Sequence, residues 1–210
     1  MKQIYICEDT ITGIYSALHD AWKECRDTQA GVELRTQRQL FCEYRIVEES
    51  EEKALRLERM IKHHLGYNAY WEIYHALLST DDRKGTVVFE VLQEARKIRQ
   101  SEKIMEHLGC PAVADVFSMS VYNEAHRYEE FIRFRELENG ILFSEITPKA
   151  QILTCVADHF EDRFPLENWI IYDKTHKVCL VHGVRKRWRL VWGELFNERA
   201  AENISEEERK

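Results

Sequence analysis

The sequence predicts an α+β fold, with a helix-rich N-terminal part that opens as a short β-α-β segment and a C-terminal part of two β-hairpins around a helix. Three observations predict it. Apolar residues recur at helical spacing from Glu51 to Leu108, the period drops to two over Phe131–Leu137, and Asn139-Gly140 follows as a hairpin turn. The reading divides the chain into a lobe of residues 1–110 and a lobe of residues 111–210 that ends in an amphipathic helix; the length also allows one intimate domain.

Taken in order, Ile4–Cys7 is a short apolar run of strand type. Ile11, Ile14, Tyr15, Leu18, Trp22 and Cys25 then share one helical face, and Leu40, Cys42, Tyr44 and Ile46 alternate as a second strand. Three helical segments follow, with Leu57, Met60, Ile61 and Leu65, then Tyr70, Ile73, Tyr74 and Leu77, then Val88, Val91, Leu92 and Ala95; Gly66, Gly85 and Gly109 punctuate them. Tyr67, Tyr70, Trp71 and Tyr74 read as core or lobe interface at that spacing, with a base-stacking surface as the other reading.

Cys110-Pro111 opens another helix, with Val113, Val116, Phe117 and Val121 on one side, that runs toward Tyr128. In Phe131–Leu137 the two-residue period places Arg133 and Arg135 on one face of a strand and Phe134 on the other. Asn139-Gly140 suits a type I′ turn, and Ile141–Ile146 returns. Thr147-Pro148 caps and starts a helix with Ile152, Val156 and Phe160 buried, which ends at Phe164-Pro165. Trp169–Asp173 and Lys177–Val181 form the second hairpin. Trp188, Val191, Trp192, Leu195 and Phe196 mark the closing helix.

Composition bounds the function. The 210 residues carry 30 Lys and Arg against 37 Asp and Glu, a net charge of −7, so a generally basic nucleic-acid binder is excluded and any phosphate contact is local. The acidity lies mostly outside residues 126–193, where 11 basic and 10 acidic residues nearly balance. Six cysteines occur without a C-x-x-C pair, which points to a reducing, cytoplasmic protein whose cysteines pack as small core hydrophobes. Neither a signal peptide nor a membrane span is expected ahead of the strand at Ile4. No G-x-x-x-x-G-K, G-x-G-x-x-G or G-x-S-x-G occurs, which argues against ATP hydrolysis, dinucleotide redox chemistry and a nucleophile elbow, and no cofactor is expected.

The candidate binding residues are cationic. Arg133 and Arg135 project together from a strand, Arg163 with His159 extends that surface, and Arg185, Lys186, Arg187 and Arg189 surround Trp188. Guanidinium groups suit bidentate phosphate contacts, and an aromatic among cations suits a stacked base. The competing reading is a solvated or ion-paired hairpin and the polar side of an amphipathic helix. Weak catalytic candidates are His126, His159 and Glu124, although Glu124 and His126 diverge at two-residue spacing, and Asp173 reads as a turn residue. His63-His64 are adjacent and also diverge, so no metal site is expected.

Asn123-Glu124-x-His126-Arg127, Phe131-Ile132-Arg133-Phe134-Arg135-Glu136, Pro148, His159-Phe160-x-x-Arg163-Phe164-Pro165 and Trp169-x-Ile171-x-Asp173 stand in a definite order. This series resembles a family of DNA metabolism or repair proteins whose members accompany a DNA-repair radical-SAM protein; a similar domain is fused to uracil-DNA glycosylase-like proteins. Ile4–Trp22 also resembles the start of that family. Where the family's pattern would place a His shortly after the Pro, this chain has Lys149-Ala150-Gln151. The resemblance implies a DNA-repair-associated binding or accessory protein with a radical-SAM partner. Three readings stay open: a DNA-binding module, an adaptor docked through its aromatic helices without touching DNA, and a small hydrolytic enzyme using His126 or His159.

Overall fold

The computed structural model describes residues 2–24, 30–34, 41–97 and 111–192. These form an α+β protein that divides into two compact units after Ser120. The first unit holds β1 (Lys2–Ile6), α1 (Ile11–Glu24), β2 (Ala30–Glu33), β3 (Cys42–Ile46), α2 (Glu51–His64), α3 (Gly66–Leu77), α4 (Lys84–Lys97) and α5 (Pro111–Met119). Its sheet has the order β2-β1-β3 and is parallel throughout, with Ile4 opposite both Gly31 and Tyr44. The expected strand near residue 42 is β3. The helix α1 leads instead into β2, whose four residues are too few to show an alternation.

Gly13–Ala21 of α1 is buried throughout, so its polar side chains pair locally. Ser16 donates its hydroxyl to the Thr12 carbonyl at 2.7 Å and accepts from the Ser50 N–H at 3.0 Å, while Asp20 accepts from Lys53 Nζ at 2.7 Å. Ser50 is also the N-cap of α2, which carries Glu51 and Glu52 in its first turn and Lys62, His63 and His64 in its last, as the helix dipole favours. Gly66, at φ +86°, makes the turn into α3.

Gly85 does not end a helix; it is the second residue of α4, where an added Cβ would lie 2.8 Å from a Val32 methyl. That close approach lets Thr86 Oγ1 accept from the Val32 N–H at 3.1 Å and donate to the Val32 carbonyl at 2.9 Å. A side chain thereby occupies hydrogen-bonding groups on the outer edge of β2. Beside it, Lys84 is 1% exposed and reaches Asp9 at 2.6 Å and the Ser79 carbonyl at 2.7 Å. Gly109, Cys25 and Cys110 lie outside the described residues.

The second unit holds α6 (Tyr122–Phe131), β4 (Arg135–Glu136), β5 (Leu142–Ile146), α7 (Leu153–Arg163), β6 (Trp169–Asp173), β7 (Val178–His182) and β8 (Arg189–Trp192). The two expected hairpins are β4–β5 and β6–β7, with α7 between them. They join edge to edge, because β5 and β6 pair in parallel, into one five-stranded sheet of order β4-β5-β6-β7-β8.

Five expectations are corrected here. The helix opened by Pro111 stops at Met119, and α6 starts anew at Tyr122. Helix α6 takes in Phe131, which shortens the expected strand to Arg135–Glu136. The first hairpin does not use a type I′ turn: only Gly140 of the pair is left-handed, at φ +80°. The Gly140 N–H donates to the Leu137 carbonyl at 2.9 Å and the Leu137 N–H to the Ile141 carbonyl at 2.8 Å, the pattern of a three-residue loop with a bulge. Pro148 does not start a helix, since the N–H groups of Lys149 and Ala150 donate to the Glu124 carboxylate at 2.8 and 3.2 Å and α7 begins at Leu153. Residues 189–192 form the edge strand β8 rather than part of a closing helix, with Val191 opposite Cys179; Leu195 and Phe196 lie outside the described residues.

Helix α7 covers one face of this sheet. Ile152, Val156 and Phe160 are buried as the pattern predicts, Phe160 lies 6.3 Å from Trp169 between ring centroids, and Phe134 packs edge-on to Phe160 and Phe164 at 5.5 Å. The opposite face gathers Phe143, Ile170, Cys179 and Val181.

Candidate nucleic-acid interface

Helix α7 runs back from the C-terminal end of β5 to the N-terminal end of β6, so Arg163 in its last turn comes to the end of the sheet where β7 passes into β8. The connection there is pinned. The Val184 N–H donates to Asn168 Oδ1 at 3.0 Å, the Arg185 N–H to the Pro165 carbonyl at 3.5 Å and the Lys186 N–H to the Gly183 carbonyl at 2.9 Å. Held on both sides, Arg185 adopts φ +61°, a conformation uncommon for a residue with a side chain.

Arg187 Nη1 lies 3.2 Å from Glu161 Oε1, and the Trp188 indole N–H donates to Asp158 Oδ1 at 2.7 Å. The loop at 183–188 is thereby tied to α7. The tertiary fold brings the exposed loop cations Arg185, Lys186 and Arg187 beside the last turns of α7, which carry the exposed Arg163, although Arg163 precedes them by more than twenty residues; Arg189, also exposed, lies on the next strand opposite Val181. The ion pairs of Arg187 are not buried, because its side chain is 79% exposed. Asp162 and Glu167 are exposed along the same α7 end, so this rim is only mildly basic.

Arg133 and Arg135 sit elsewhere and do different things. Arg133 Nη1 donates to the Glu130 and Ile132 carbonyls at 2.7 and 3.0 Å, which closes the C-terminal end of α6. Arg135 lies over the Phe143 ring at 5.0 Å. These two arginines therefore do not project as a pair from one strand.

The weak catalytic candidates do not converge. His126 is exposed on α6, stacked on Tyr122 and 3.1 Å from Glu129. The Glu124 carboxylate is engaged by the 149–150 backbone, and His159 turns edge-on to Phe160 with a buried, unpartnered Nε2. A histidine-carboxylate pair occurs instead at the β6–β7 turn, where Asp173 Oδ2 lies 2.6 Å from His176 Nδ1 while Oδ1 accepts the Thr175 and His176 N–H groups. Asp173 is thus the turn residue that its type suggests, and it also holds a histidine that sequence reasoning did not single out. A cavity of about 200 Å³ in the first unit is lined by Trp22, Met60, His64, Leu65, Leu92, Ala95 and Arg96, none of them a catalytic candidate.

Burial pushes the Cys7 thiol up to about 12, with Asp9 adding to it; burial pushes Cys155 up to about 11 and Cys179 up to about 12. Such thiols are poor nucleophiles and ligands. Among the described residues no three His, Cys, Asp or Glu come together to hold a metal ion, and no helix is long and apolar enough to cross a membrane.

Residues 81–209, more than half of the chain, match the model of a family described as a domain of unknown function, DUF4130. No curated protein matches the chain.

Proposed function

The chain belongs to this DUF4130 family, and on that premise we propose that it is a DNA-repair-associated nucleic-acid-binding or accessory protein that works beside a radical-SAM repair enzyme. The repair setting and the partner rest on the resemblance carried by the 123–173 series. The DNA contact rests on one observation: the pinned loop carrying Arg185, Lys186 and Arg187 lies beside the end of α7 that carries Arg163, with all four cations exposed. Guanidinium groups there meet phosphate oxygens in bidentate fashion, and the tethered loop lowers the entropy lost when they do so.

Binding of the full chain to labelled DNA, with and without uracil, across a salt series tests this reading. The expected result is measurable affinity at low salt that falls as salt rises, and that drops about tenfold or more in an Arg163→Ala/Arg185→Ala variant. Each phosphate contact removed lowers the log–log salt slope by about 0.7 on a single strand. An Arg133→Ala/Arg135→Ala variant is expected to lose stability before affinity, since Arg133 closes a helix. Absence of binding by the wild-type chain at low salt rejects a DNA contact.

The adaptor reading has its own support. On α3, Tyr67 is 66% and Trp71 51% exposed, while Tyr70 is buried against α2 with Lys62 Nζ 4.0 Å over its ring. Exposed aromatics one helical turn apart suit a protein partner. The hydrolase reading has the Asp173–His176 pair as its best support, in place of His126 and His159.

A further inference from the structure

We infer that β8 and the residue before it form a stacking platform for unpaired bases, so that the nucleic acid held at the rim is single-stranded DNA. This rests on the nucleic-acid reading above and adds the substrate form and the residues that select it. The pattern that suggested a helix is, on an edge strand, an alternation: Leu190 and Trp192 share one face and Arg189 and Val191 the other, while Trp188 and Arg187 precede the strand and both reach toward α7. The register opposes Leu190 to Leu180 and Trp192 to Val178, and Trp188 reaches Asp158, so the tryptophan face is the one that α7 covers farther into the sheet.

Helix α7 does not extend over Trp192, whose 71% exposure is unusual for so large an apolar side chain. Trp188 is partly exposed, and its indole is fixed by the 2.7 Å bond to Asp158, so it offers a ring face in one orientation. Trp188 and Trp192 are four residues apart, so at the strand rise of about 3.3 Å per residue they stand up to about 13 Å apart. That spacing far exceeds the rise of roughly 3.4 Å between stacked bases, so it fits an extended, unstacked strand.

Charge points to the same ligand. The exposed cations Arg185, Lys186 and Arg187 lie in the loop that leads into the platform, and Asp158 and Glu161 pair with Arg187 there. A duplex offers this surface phosphates alone, which a mildly basic rim holds weakly. A single strand also offers base faces to the indoles, and stacking is indifferent to the nearby carboxylates.

The test is the affinity of the full chain for a labelled single strand and for a duplex of equal length at 50 mM salt, each variant being checked by thermal unfolding. We expect the single strand to bind at least tenfold tighter than the duplex. Trp192→Ala should weaken single-strand binding about tenfold, Trp192→Phe should retain it within about threefold, and neither should alter duplex binding. Asp158→Ala separates stacking from charge, because removing an acid strengthens phosphate binding if charge alone acts. Weaker single-strand binding in that variant supports the platform. Equal affinity for the two forms, or an unchanged Trp192→Ala, overturns the inference, while sensitivity to Arg163→Ala/Arg185→Ala would leave the underlying reading standing. A wild-type chain that binds neither form overturns both.

Discussion

Asp20 lies on α1 with 9% of its side chain exposed, hydrogen-bonded to Lys53 Nζ at 2.7 Å and close to His19 Nδ1 at 3.2 Å. Burial acts to raise its carboxyl pKa, but the bonds from Lys53 and His19 outweigh it and hold the value below the usual carboxylate range. The stabilisation is therefore fully present above the unfolded value of about 3.9 and is lost as pH falls through the lower folded value. Asp20→Asn should cost about 2 kcal/mol at pH 7, and the difference from wild type should shrink below about pH 4, as denaturant melts at a series of pH values would read out. Glu124 makes a comparable tie in the second unit. Its replacement by Ala frees the Lys149 and Ala150 N–H groups and should cost about 1 kcal/mol, with protection of both amides from hydrogen exchange falling.

Among the elements, the β4–β5 loop depends on Gly140, since φ +80° disfavours any side chain. Gly140→Ala should cost about 1 kcal/mol and leave Asn139→Ala milder, because Asn139 contributes only an acceptor for the Ile141 N–H. The sequence marked this turn correctly and mistook its geometry. Asn-Gly fits both a two-residue type I′ loop and a three-residue loop with a left-handed glycine, and the cross-strand register of Arg135 with Phe143 decides between them. The strand β8 makes the same point: Trp188, Val191 and Trp192 satisfy a helical stripe in sequence, and Leu190 and Trp192 satisfy a strand face equally well. Four apolar positions in five residues cannot separate the two periods, whereas the free edge of β7 can.

For the molecule as a whole, a net charge of −7 repels phosphate, so affinity for DNA has to come from a bounded region. Reversing Arg163 and Arg185 to Glu should abolish binding, while reversing Arg56 on α2, exposed and paired with Glu52, should leave it within about twofold. A uniform loss from both changes would mean that net charge rather than a site governs binding. The expected boundary at residue 110 and the division after Ser120 differ by the helix α5, which packs on α3 and α4 of the first unit. Its apolar face, Val113 and Val116, reads the same in sequence whichever unit receives it.

Residues alone determined the α+β class, the helical faces from α1 to α4, the end of α7 at Phe164-Pro165, the two hairpins and the family-like order of motifs, because each depends on local periodicity or on a conformation peculiar to Gly, Pro or Asn. Only the tertiary structure decided that the hairpins share one sheet, that Glu124 holds the 149–150 backbone in place of a helix start, and that the loop carrying Arg185–Arg187 is pinned beside the end of α7 that carries Arg163. Those are contacts between residues far apart in the chain. The identity of a partner twenty or more residues away leaves no trace in the spacing of either side chain's neighbours.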